Sequence, residues 1–283
     1  MSDKVIAVVV DGLRYDKARE CFGYLEHLVE VRRAAVYKVR SELPTLSRPL
    51  YEVLLTGTPP SVNGVTTNFP VGLSRQRSVF HLAREHGLRT AAAAYCWVSE
   101  LYNRFPFDAA RDREQEDEDL PICYGRFYWD DGYPDSHLFA DGEALRRKYD
   151  PDFLYLHPMG VDDQGERFGA ESKEYRHQVL TVGGLLARML PEWIEGKYQV
   201  LITADHGMSG GGGHGGATAA EREVPLYVIS PRIEPGEYED VVPQLAIAPL
   251  ICRLLGLPVP ESMIPFRMAG WKHPERETVR QEG

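Results

Sequence analysis

The stretch Val200 to Gly216 reads VLITADHGMSGGGGHGG, and its reading decides the fold. The apolar start, Val200 to Thr203, has the character of a buried strand. It breaks at once into Asp205 and His206, passes through a glycine tract and reaches His214. Three candidate metal ligands therefore gather at one strand end. Carboxylate oxygen and imidazole nitrogen suit zinc, manganese or iron, and a set without thiolate is of the catalytic rather than the structural type. Gly207 and Gly210 to Gly213 can take positive φ and fold the backbone tightly enough to return His214 to the strand end. The ordinary alternative is a flexible glycine loop with a capping Asp and a surface His.

The same pattern recurs outward from this stretch. Lys4 to Val10, KVIAVVV, is β-branched and apolar, as a parallel strand covered on both faces should be, and it ends in Asp11-Gly12. Asp152 to His157, DFLYLH, is a further buried strand, followed by an acidic loop with Asp162 and Glu166 four residues apart. Those two could hold one ion together with His214, with Asp163 and His157 as alternatives within reach. In an open α/β sheet, residues past the carboxyl ends of the strands line the ligand crevice, so three acidic strand ends address one place. Taken alone, Asp11 could equally cap a helix beginning near Leu13.

Ser47 stands before a helical run from Arg48 to Leu55 with Pro49 in its first turn, the position of a helix N-cap. As a cap it satisfies an orphan amide. Beside a metal ion, at a helix N-terminus that favours anions, it becomes a nucleophile suited to phosphate, with Thr45 as the nearby competitor. Asn68, in a turn-forming run from Gly57, could donate to a phosphoryl oxygen or only stabilise the turn. Strands are expected over Ala34 to Arg40, Arg89 to Tyr95 and Pro225 to Ile229. Helices are expected over Ser78 to His86, Leu138 to Lys148, Tyr175 to Trp193 and Gln244 to Leu255. Residues 96–136 break the periodicity with clustered aromatics and a charged run, which reads as a cap or insertion over the sheet edge. The tail 258–283 reads as a segment that wraps the surface or frays.

At 283 residues, 43% hydrophobic and 26% charged, the chain can bury the core of one α/β domain spanning residues 1–283. A net charge of −10 excludes a nucleic-acid-coating surface but not a small anionic substrate. No apolar run approaches a membrane span. Cys21, Cys96, Cys123 and Cys252 lack metal-type spacing and no secretory signal opens the chain, so the expected compartment is the cytoplasm. Oligomeric state is left open.

Four motifs in order carry a resemblance. They are Val10-Asp11-Gly12-Leu13-Arg14; Pro44-x-x-Ser47-x-Pro49 with Thr56-Gly57 and Gly64 downstream; Asp162-x-x-Gly165-Glu166 with Gly169 and Ser172; and Ala204-Asp205-His206-Gly207-Met208. Together the chain resembles the alkaline phosphatase superfamily, in its type I phosphodiesterase/nucleotide pyrophosphatase branch. The short link from Asp205-His206 to His214-Gly-Gly is also similar to the superfamily's ethanolamine-phosphate transferases. The resemblance covers about Lys4 to Pro258 and implies an α/β/α sandwich around a mostly parallel sheet. It implies two divalent ions, zinc first and manganese or iron as alternatives. Asp11, Ser47, Asp205 and His206 would surround one, and Asp162, Glu166 and His214 the other. Ser47 matches the family's Thr or Ser nucleophile, and Asn68 the Asn that contacts a non-bridging phosphate oxygen.

Two departures bear on activity. The family places His where this chain has Glu166, a harder and negatively charged donor that shifts preference from zinc toward manganese or iron. Sulfatases place Arg four residues after their modified residue, where this chain has Tyr51 after Ser47, which argues against sulfate esters. The expected function is therefore a two-metal phosphodiesterase or nucleotide pyrophosphatase, acting on a small phosphate ester through a phosphoseryl intermediate. The rivals are a phosphomonoesterase, phosphonate hydrolase or phosphotransferase on the same site, and a catalytically silent metal-binding module.

Overall fold

A run of β-branched and aliphatic residues with no polar face must be covered on both sides. The computed structural model, which describes residues 3–272 except Val71, builds its centre from such runs. The strands are β1 (Val5–Val9), β2 (Ala35–Arg40), β3 (Thr90–Tyr95), β4 (Glu114–Glu116), β5 (Tyr124–Tyr128), β6 (Phe153–Leu156), β7 (Gln199–Thr203), β8 (Glu223–Ile229) and β9 (Gly236–Pro243). They form one sheet in the order β4-β5-β3-β6-β1-β7-β8-β2-β9. The run β5-β3-β6-β1-β7 is parallel throughout, and every residue of β1, β6 and β7 is buried. β8 runs antiparallel to β7, β2 antiparallel to β8, and β4 antiparallel to β5.

Helices cover both faces in two sets. One set joins the Lys173–Glu195 helix to those over Tyr15–Cys21, Gly23–Glu30, Asp135–Tyr149 and Gly160–Phe168; the other joins Ser47–Thr56 to Val79–Glu85 and Ile247–Leu254. The α/β/α sandwich expected from the sequence is therefore present. Among the described residues no helix is long and apolar enough to cross a membrane.

Several elements differ from the sequence reading. Residues 160–168, read as an acidic loop, form a helix. Two glycines, Gly160 and Gly165, weaken its helix propensity and hid it. Gly165 is there for packing, since a Cβ on it would meet the Met208 side chain at 2.9 Å. Residues 96–136, set apart as a cap, contribute β4 and β5 to the sheet itself. Their signal is weak because β5 is short and β4 has only one buried residue. Within the charged run, Asp112 is fully buried and paired with Arg104 and Arg111 rather than solvated. β9, mostly exposed, had no apolar pattern to reveal it. Of the tail, residues 273–283 lie outside the described residues. The part before them packs down, with Met263 and Met268 buried and Tyr37 donating to the Ala269 carbonyl at 2.8 Å.

Candidate active site

The parallel strands deliver their carboxyl ends side by side. The Asp11 amide donates to the Pro158 carbonyl at 3.0 Å and the Val10 amide to Thr203 at 2.9 Å, which locks the three acidic loops together just past β1, β6 and β7. Asp11, Asp205 and His206 are fully buried there. Their ligand atoms lie within 4.8 Å of one another, and so do those of Asp162, His206 and His214. Glu166 stands one step outside, half-exposed, with its Oε1 3.2 Å from His214 Nε2. The second set thus shows a compact triad completed by His206, with Glu166 reaching it through His214.

Asp11 and Asp205 each keep one oxygen free while the chain occupies the other. The Gly12 amide donates to Asp205 Oδ1 at 3.2 Å, and Tyr51 donates to Asp11 Oδ2. His206 Nδ1 faces the Gly207 carbonyl at 2.9 Å and His214 Nδ1 the Thr45 carbonyl at 2.8 Å, which fixes both Nδ1 atoms as donors and turns both Nε2 atoms toward the site, where they meet Ser47 Oγ and Glu166 Oε1 respectively. The two imidazoles stack with centroids 4.0 Å apart. Asp11 Oδ1, Asp162 Oδ1 and Asp205 Oδ2 are buried without a hydrogen-bond partner. Three orphaned carboxylate oxygens from three loops are costly in a buried site unless a cation satisfies them, so the donor set fits divalent metal.

The electrostatics agree. Burial pushes the Asp205 and Asp162 carboxyls well above the usual range, and the charge on Asp11 pushes them further. Burial would raise Asp11 too, but His157, His206 and Tyr51 outweigh it and hold that carboxyl low. Burial, with the charge on His214, lowers His206 to about 4. Burial opposes the charge on His214 as well, yet the Glu166 carboxylate and the Thr45 carbonyl lift it to about 9. A bound cation would replace this mutual repulsion among the acids.

Ser47 is not the N-cap. It is the first residue of the Ser47–Thr56 helix, and extended Leu46 occupies the cap without a side-chain bond. Its Oγ is therefore spared for the site and lies 3.1 Å from His206 Nε2. Asn68 satisfies a first-turn amide instead, its Oδ1 accepting from Arg48 N at 3.1 Å, which leaves its amide nitrogen as a donor beside the Ser47–Thr56 helix. Thr45 drops out as a competitor, because its hydroxyl donates to Gly216 O at 2.8 Å and accepts from Gly215 N at 2.9 Å. Asp163 pairs with Arg167 at 2.9 Å and joins neither ligand group. His157 approaches Asp11 rather than an open ligand position.

The glycine loop returns His214 as expected, and partly by the expected glycines. Gly212, within the expected tract, takes positive φ at 85°, joined by Gly215 at 107°, whereas Gly207, Gly210, Gly211 and Gly213 do not. Sequence reasoning missed Tyr51 and the buried Arg48–Glu100 pair, whose atoms lie 2.8 Å apart. Tyr51 stands one helical turn after Ser47, but its spacing alone does not show that Asp11 faces it. A cavity of about 560 Å³ lined by Lys197, Tyr198, Ile229 and Lys272 opens at the start of β7, the end away from these ligands. The site is identified by its chemistry, not by the size of a hollow.

Fold and family match together place the chain in the alkaline phosphatase superfamily. Residues 5–218 match the family described as type I phosphodiesterase/nucleotide pyrophosphatase, and the chain belongs to that family. Among curated proteins it is similar to the human GPI ethanolamine phosphate transferase 3 catalytic subunit, 22% identical over 91% of this chain and 25% of that protein. It is also similar to GPI ethanolamine phosphate transferase 2 of Candida albicans, 25% identical over 93% of this chain and 31% of that protein. The chain thus spans about a quarter to a third of these relatives' length. Among solved structures, murine ectonucleotide pyrophosphatase/phosphodiesterase 5 shares the fold at TM-score 0.72 and 12% identity, over 93% of this chain and 97% of that one. An inactive variant of that murine protein is described in complex with AMP.

Proposed function

We propose that this chain is a metal-dependent phosphodiesterase or pyrophosphatase that acts through a phosphoserine at Ser47. The observation that carries the reading is the Ser47 hydroxyl, free of any capping role and 3.1 Å from His206 Nε2, beside three orphaned carboxylate oxygens. Asp11, Ser47, Asp205 and His206 would hold one divalent ion and Asp162, His214 and Glu166 the other. When bound, these ions supply the positive charge that activates a hydroxyl and stabilises phosphoryl oxygens. The helix N-terminus favours the anion that develops on Ser47 Oγ as it attacks phosphorus. Asn68 offers its amide nitrogen to a non-bridging oxygen. The leaving alcohol or phosphate departs, and a second acceptor takes the phosphoryl group from Ser47. The AMP complex of the murine neighbour supports a small nucleotide as one substrate class. Four free cysteines support a reducing, cytoplasmic setting.

A second reading is transfer rather than hydrolysis, favoured by relatives that are ethanolamine phosphate transferases. On this reading an acceptor hydroxyl replaces water in the second half-reaction.

The test is hydrolysis of bis-p-nitrophenyl phosphate against p-nitrophenyl phosphate by metal-stripped protein reloaded separately with zinc, manganese and iron. Diester preference with one metal is expected, and Ser47→Ala should bind the ions yet lose nearly all turnover. Wild-type turnover in Ser47→Ala would remove Ser47 as nucleophile.

A further inference from the structure

We infer that Tyr51 is a positioning residue that restricts Asp11 to one free carboxylate oxygen and so sets the metal preference beside Ser47. The inference rests on the metal-site reading above. Tyr51 is fully buried, and its hydroxyl donates to Asp11 Oδ2. His157 Nε2 also comes within 3.2 Å of that oxygen but is not aligned for a hydrogen bond, so Tyr51 is the aligned donor. Asp11 Oδ1 is left free. Asp205 shows the same division, with Gly12 N on Oδ1 and Oδ2 free. His206 offers only Nε2, since Nδ1 faces the Gly207 carbonyl.

The chain therefore presents single donor atoms from Asp11, Asp205, His206 and Ser47. Four nitrogen and oxygen donors match the tetrahedral habit of zinc, whereas manganese favours about six. Ligand denticity is the variable, and Tyr51 controls it. Without the hydroxyl, Asp11 can turn both oxygens toward one ion and raise the donor count. A Phe ring at position 51 would keep the packing on His157, at 4.6 Å between centroids, and on Trp97, at 6.3 Å.

Metal-stripped wild type, Tyr51→Phe and His157→Gln would be titrated with cobalt(II) as a spectroscopic substitute for zinc. Zinc-over-manganese preference would be measured by equilibrium dialysis. The wild type is expected to give the intense visible absorption of four-coordinate cobalt, and His157→Gln to keep it. Tyr51→Phe should show weaker bands of higher coordination and lose about tenfold or more in zinc preference, the usual scale for disturbing a group that orients a ligand. A Tyr51→Phe protein with wild-type spectrum and preference overturns the inference. So does a five- or six-coordinate spectrum in the wild type, which decides the matter even if the variant fails to fold. Absence of cobalt binding by the wild type overturns the metal-site reading, and this inference with it.

Discussion

Glu52 sits on the same helix as Ser47, next to Tyr51, and is fully buried among core residues. Ser74 donates to its Oε1 and Tyr102 to its Oε2, the latter at 2.8 Å. Burial raises its pKa from 4.5 to about 6, only partly offset by those two hydroxyls. A carboxyl whose folded pKa lies above its unfolded one binds more protons when folded. Its contribution is then complete below the unfolded pKa and lost as pH rises through the folded one. The loss falls between about pH 4.5 and 6 and amounts to roughly 2 kcal/mol at pH 7. Glu52→Gln should therefore melt higher than wild type at pH 7, with the advantage gone near pH 4. A difference in melting temperature that does not change with pH would refute this assignment. The candidate ligand residues are a contrast in legibility. Asp11, Asp205, His206 and His214 were visible in the sequence because each closely follows a strand or glycine tract, and Asp162 because it lies in the acidic segment after β6. Tyr51 and Glu52 were not, because adjacent positions on one buried helix differ only in what the fold places opposite them.

The helix over Gly160–Phe168 turns two acids four residues apart into neighbours on one face, which a loop would not guarantee. Its seating depends on Gly12, the turn after β1. Gly12 has φ +69°, and a Cβ there would lie 2.7 Å from Asp162 Oδ1 and 2.8 Å from Asp162 Cα. The first acidic loop thus touches the second through backbone, so no side-chain shift can make room. Gly12→Ala combines left-handed strain with overpacking and should cost roughly 2–4 kcal/mol in denaturant unfolding. It should also weaken metal binding, because Asp162 is displaced. Unchanged stability together with unchanged metal affinity would show that the contact is not rigid. The glycine loop after His206 follows the same logic: Gly212, at φ 85°, lies where a Cβ would meet the Glu166 carbonyl at 2.8 Å. Sequence composition identified a tight loop there. Which glycines bend and which merely make room was decided by the helix it packs against.

Across the whole molecule, β1 lies between β6 and β7, so three loops distant in sequence open on one edge of the sheet. On the proposed reading the crevice would serve either half-reaction, since water and an alcohol attack a phosphoserine in the same way. Hydrolysis and transfer are separated by adding glycerol as an acceptor alcohol to the diester assay. A hydrolase releases one phosphate-monoester product per nitrophenol whatever the glycerol concentration. A transferase diverts that product into a glycerol phosphodiester, read by phosphorus NMR, in proportion to the acceptor. The buried parallel strands, the order of the four motifs and most of the candidate ligand residues are legible in the sequence alone, because β-branched runs and the polar groups that end them are local signals. Only the tertiary structure decided that Ser47 is not a cap, that Thr45 is committed to the His214 loop, that residues 96–136 extend the sheet, and that Tyr51 holds Asp11. Those facts depend on which atoms of separate elements face one another, and spacing along one chain does not carry that information.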